Sequence, residues 1–141
     1  MAMTLDLAFQ LIASARSHAQ ESGFKPLTIA VLDAGGHLIA LAREDGTSNL
    51  RPEIAQGKAR GAISMGLGSR ALYNRAQEQP YFIQSMNALS NGSLVPVPGG
   101  VLIREENKII GAVGITGDSS DNDEACAIFA IQEASLSADA G

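Results

Sequence analysis

The segment Ile110-Gly111-Ala112-Val113-Gly114-Ile115-Thr116-Gly117, read with Pro98-Gly99-Gly100 upstream of it, constrains this chain more than any other. It is apolar and β-branched, as a buried strand requires, yet three glycines interrupt it at spacings of three. Side chains alternate across a strand, so these glycines do not share one face. A strand tolerates such a loss of packing where something approaches its backbone closely. Another part of the protein or a bound molecule would satisfy that requirement. The reading adopted at this point is that the missing side chains leave room for a ligand.

The rest of the pattern places this strand in a small mixed fold. Residues 4–22 repeat apolar positions at three and four, with Thr4 as a cap, and predict a helix ended by Gly23 and Pro26. Residues 27–33 and 37–43 are apolar runs around Asp33-Ala34-Gly35-Gly36 and predict an antiparallel hairpin. Pro52 and Glu53 suit the first turn of a helix in which Ile54, Lys58, Ala62 and Met65 fall on or near one face. Gly57 and Gly61 give that helix a flat stripe suited to close contact with a sheet, a helix or a neighbouring molecule. A short helix capped by Ser69 is expected over 69–77, and a helical turn at Pro80. Strands over 101–104 and 108–116 flank a turn at Glu105-Glu106-Asn107, and a polar loop over 118–123 leads into a final helix over 123–137. Hairpins separated by helices imply an antiparallel sheet with helices on one or both faces, within a single domain spanning 1–141.

Composition removes several functional classes. A net charge of −5 and only 4% aromatic residues argue against nucleic acid, which demands a basic surface or stacking platforms. The same charge argues against an anionic membrane, and no apolar run approaches the ~20 residues of a membrane span. No basic and apolar leader is visible, so the expected location is the cytoplasm. The single Cys126 sits in an apolar helical run and reads as a buried small hydrophobe.

Four constellations bear on chemistry. The acidic loop Asp118 to Glu124 resembles the start of a calcium loop but lacks its glycine and closing glutamate, which leaves helix capping by Asp121, Asn122 or Asp123. With two histidines and one cysteine, no metal site is expected. His18 reads as a solvated surface residue, whereas His37, after the Gly35-Gly36 turn, suits a single axial haem ligand. Finally, Arg43, Asp45, Arg51, Glu53 and Lys58 form either a mutually paired surface cluster or a carboxylate pocket with an arginine fork.

Taken in order, Asp33-Ala34-Gly35-Gly36, Arg43-Glu44-Asp45-Gly46, Ile54-Ala55-x-x-Lys58-Ala59, Pro98-Gly99-Gly100, Ile110 to Gly117 and Asp123-Glu124-x-Cys126-Ala127 resemble the GlcG/HbpS-like family and the C-terminal domain of PduO-type adenosyltransferases. The resemblance implies an α+β fold, an antiparallel sheet of about five strands flanked by helices in a profilin-like arrangement, in homo-oligomers. It implies a small-molecule ligand, with haem as the candidate cofactor. The alternative is an enzyme or accessory enzyme acting on a small organic acid in a catabolic pathway. The ligand pocket it implies gathers Arg51, Gly99, Gly100, Gly114, Thr116 and Asp118. In the enzyme reading, Arg51 holds a substrate carboxylate while Glu53, Asp118 or Glu124 moves protons.

Overall fold

Two hairpins and five helices assemble into one antiparallel sheet with helices on both faces. The computed structural model describes residues 2–141. Helix α1 (Leu5–Ser22) is capped by Thr4, whose hydroxyl accepts from the Leu7 N–H at 3.1 Å, and it buries Ala8, Leu11, Ile12, Ala15 and Ala19. Strands β1 (Thr28–Asp33) and β2 (Leu38–Arg43) form the first hairpin. Helices α2 (Arg51–Met65), α3 (Ser69–Glu78) and α4 (Pro80–Leu89) follow. Strands β3 (Gly100–Glu105) and β4 (Lys108–Thr116) form the second hairpin. Its turn places Glu106 and Asn107 at φ of 52° and 65°, the backbone that a two-residue hairpin turn selects. Helix α5 (Ser120–Glu133) and a short β5 (Ser137–Asp139) complete the chain.

The sheet order is β2-β1-β4-β3-β5, with every neighbouring pair antiparallel. Alternation along the strands divides the interior into two layers. Ile29, Val31, Val101, Ile103, Val113 and Ile115 face α1 and α5 and form the larger core. Leu32, Leu102 and Ala112 face Ala59 and Ala62 of α2. Cys126 is buried in the larger core, and desolvation pushes its thiol up to about 12.

The final segment differs from expectation. Helix α5 begins at Ser120 rather than 123 and is capped by Ser119, which accepts from the Asn122 N–H at 3.1 Å; Asp121 and Asp123 occupy its first turn instead of capping it. It stops at Glu133, and Ser135 at φ 62° turns the chain so that 137–139 becomes the fifth strand. Three residues are too few to carry a period-two signal, so their pairing with β3 was invisible in the pattern.

Candidate functional site

The register places Ala30, Gly114 and Gly100 in one row across β1, β4 and β3, on the face toward α2. Helix α2 uses that flatness. A Cβ at Gly114 would collide with the Ala55 carbonyl, and one at Gly100 with the Lys58 carbonyl. The space expected for a ligand at these two glycines is therefore filled by the protein's own helix backbone. Gly99 is also buried, and a Cβ there would lie 2.9 Å from Lys58 Nζ. The Gly57–Gly61 stripe on the opposite side of α2 receives Leu94 and Val95 of the same chain, with the Val95 N–H donating to the Gly57 carbonyl at 3.1 Å.

This close approach seals a charged pair inside. Lys58 is only 2% exposed, and its Nζ donates to the Ile115 carbonyl at 2.8 Å and to Asp123 Oδ2 at 3.3 Å. Asp123, 1% exposed, accepts from the Asp118 N–H at 3.0 Å through its other oxygen. Desolvation pushes Lys58 below and Asp123 above its ordinary range, and each partner opposes the other's shift. The pair ties α2 to the start of α5 across the end of β4. Ser69 belongs to the same support: it lies inside α3 rather than capping it, and its Oγ accepts from the buried Gly100 N–H at 2.7 Å. Lys58 had one sequence signal, a cation on a face otherwise made of Ile, Ala and Met.

At the open end of this assembly, Arg51 Nη1 donates to Thr116 Oγ1 at 2.6 Å and Nε to Ser48 Oγ at 3.1 Å. Asp118, two residues after Thr116, accepts from the N–H groups of Lys25 (2.8 Å) and Ser119 (2.8 Å) and from Asn122 Nδ2 (2.7 Å). These bonds, the Lys25 amide first, hold its carboxyl below the usual range. Thus Arg51 and Thr116 are brought together, Asp118 is held by Lys25, Ser119 and Asn122, and Gly99, Gly100 and Gly114 lie beneath α2. Glu124 is engaged by Arg70, with Nε–Oε2 at 2.9 Å and Nη2–Oε1 at 3.2 Å. Glu53 is exposed on the first turn of α2. Of the five charges read as either a paired cluster or a carboxylate pocket, none forms an ion pair with another among the described residues. Arg43 bonds Thr47 and Asn49, Arg51 bonds hydroxyls, and Lys58 turns inward.

The histidines also separate. His18 is half-buried rather than solvated and stacks on Phe129 at 4.3 Å between centroids. The His37 side chain is 81% exposed, and its Nδ1 lies 3.3 Å from Asp33 Oδ1. Asp33 also accepts from the Gly35 and His37 N–H groups at 2.9 Å each, which pins the turn and lowers its own pKa. Beside this turn a cleft of about 410 Å³ is lined by Ala2, Met3, Asp33, Ala34, Gly35, Lys108, Ile109 and Ile110. Among the described residues, no group of three or more His, Cys, Asp or Glu side chains could hold a metal ion, and no helix is long and apolar enough to cross a membrane.

A five-stranded antiparallel sheet sandwiched between helices, its centre flattened for a lysine-bearing helix, defines a small α+β domain with surface clefts at both ends of its first strand. The chain belongs to the HbpS-like family: the model for "Haem degrading protein HbpS-like" matches residues 3–132. Protein GlcG of Escherichia coli K12 is 32% identical over 114 residues, 81% of each chain. Among solved structures, the PduOC haem complex superposes with a TM-score of 0.86 at 25% identity, covering 96% of this chain and 97% of that one. Klebsiella pneumoniae protein ORFY gives 0.84 at 24% identity, covering 92% and 88%. HbpS gives 0.81 at 22%, covering 94% and 90%.

Proposed function

We propose that this protein binds haem or a similar planar tetrapyrrole at the cleft beside the β1–β2 turn. The observation that carries the reading is His37: an exposed imidazole whose Nδ1 lies 3.3 Å from the Asp33 carboxylate, which leaves Nε2 as the nitrogen turned away from that contact. A carboxylate behind an imidazole sets its tautomer and raises its basicity as a ligand. Haem iron takes such a nitrogen as an axial ligand. Met3, Ala34, Ile109 and Ile110 offer apolar surface nearby, and Lys108 offers a cation for a propionate. The family description and the likeness to the PduOC haem complex support the same ligand class. The cleft seats one edge of a tetrapyrrole rather than enclosing it.

Titration of the protein with haemin tests this. The expected result is a saturable, stoichiometric Soret shift that is lost or displaced in His37→Ala and retained in His18→Ala. No saturable shift in the unsubstituted protein would reject haem as the ligand. A shift that survives His37→Ala and disappears in His18→Ala would move the site to the α1–α5 face.

A further inference from the structure

The opposite end of β1 carries a second cleft, of about 270 Å³, lined by Lys25, Pro26, Gly46, Thr47, Ser48, Arg51 and Gly117. Arg51, at the start of α2, and Lys25, in the connection before β1, both line it, and among the described residues Arg51 makes no ion pair. The guanidinium is held only by neutral hydroxyls, Thr116 Oγ1 and Ser48 Oγ. Of its five N–H donors, three remain, including both on Nη2. Glu44 and Asp118 are already engaged. Glu44 accepts from the Leu27 N–H and from Arg16, and Asp118 is committed to Lys25, Ser119 and Asn122.

A second polar group lies across the sheet from Thr116. Thr28 is directly cross-strand from Thr116 on the α2 face. It is 0% exposed, and its Oγ1 is the one buried side-chain polar atom among the described residues without a hydrogen-bond partner. A buried hydroxyl with no partner is costly unless something else satisfies it. It adjoins the hydroxyl that holds the arginine.

We infer that this cleft is a binding site for the carboxylate of a small organic acid. The free N–H groups of the Arg51 guanidinium face a planar carboxylate, Lys25 supplies a second cation, and Ser48, whose oxygen accepts from Arg51, supplies a hydroxyl donor. The cleft lies a full strand away from His37 and shares no lining residue with the cleft beside it, so the site stands apart from the haem reading.

The probes are malonate, propionate and inorganic phosphate, added at constant ionic strength against sodium chloride while backbone amide resonances are followed. Malonate should shift Gly46, Thr47, Ser48 and Gly117 saturably, and chloride should not. Arg51→Gln should weaken malonate about tenfold or more, the loss expected for a charged hydrogen-bonded fork. Lys25→Gln, whose side chain is exposed and whose backbone N–H is retained, should weaken malonate without altering the fold. Shifts no greater than those with chloride, or malonate affinity unchanged in both Arg51→Gln and Lys25→Gln, would overturn the site. Phosphate binding tighter than both organic acids would overturn the carboxylate assignment.

Discussion

Replacing Lys58 with Met removes a buried cation and leaves its partner in place. Asp123 then keeps a carboxylate at 1% exposure with the Asp118 N–H as its remaining hydrogen bond, and the Ile115 carbonyl loses its 2.8 Å donor. Breaking one side of a buried ion pair costs about 3–5 kcal/mol. A chain of this length has roughly 7–20 kcal/mol of total stability, so the loss should lower Tm by roughly 10 °C or more. The sharper expectation is a change of sign. Asp123→Asn should destabilise the unsubstituted protein, because Lys58 is left charged and buried, yet stabilise the Lys58→Met background, because the orphaned charge disappears. The pH dependence follows from the same cause. In Lys58→Met, Asp123 loses the cation that lowers its pKa while burial still raises it. The folded state then binds a proton more readily than the unfolded chain, and stability is regained as pH falls from the folded value toward the ordinary carboxylate range. Urea denaturation of the four proteins in the cycle at two pH values measures all of this. Equal effects of Asp123→Asn in both backgrounds, or a Lys58→Met loss below about 1 kcal/mol, would refute the buried-pair reasoning.

Two further outcomes are expected. Gly114→Ala would drive a Cβ into the Ala55 carbonyl and to 3.0 Å from the Ala59 Cβ, both fixed to α2, so the helix must lift at a cost of about 1–3 kcal/mol or more; an unchanged urea midpoint would contradict this packing. Asp118 has its folded pKa lowered chiefly by the Lys25 amide, so its stabilisation is full above the ordinary carboxylate value and is lost as pH falls through the folded one. Asp118→Asn should therefore flatten the acid limb of a circular-dichroism titration, and superimposable acid limbs would reject that role.

The parts of the fold legible in the sequence were those with a strong local signal. Thr4, the apolar stripe of α1, the two apolar hairpins and Pro52 each announce their element through a short-range preference. The start of α5 was misplaced because Ser119, Asp121, Asn122 and Asp123 can all cap a helix, and only the tertiary demand on Asp123 selects among them. Of the residues grouped into the candidate site, Arg51 and Thr116 touch through a hydrogen bond, a pairing across sixty-five residues that no local pattern encodes. The meaning of Gly100 and Gly114 was not legible, because a glycine records that something lies close and not what that object is. Ser69 shows the same limit, since its partner Gly100 is thirty-one residues away and no local pattern couples them.

The identity of that close neighbour changes where a ligand can be sought. A helix backbone seated directly on the Gly100–Gly114 row leaves no void in the centre of the α2 face, and a buried lysine on that helix needs Gly99 for its own passage. Room for a guest therefore lies away from the centre of that face. The first residue of α2, Arg51, opens onto the cleft at the start of β1, while Arg60, nearer the helix's other end, donates to the Gly36 carbonyl at 3.2 Å and braces the turn that presents His37. One helix thus closes the middle of the sheet and shapes what lies at both ends. Tight packing at its centre holds those ends in fixed positions, so Gly114→Ala should disturb the Arg51 cleft and the His37 turn together, although it touches neither.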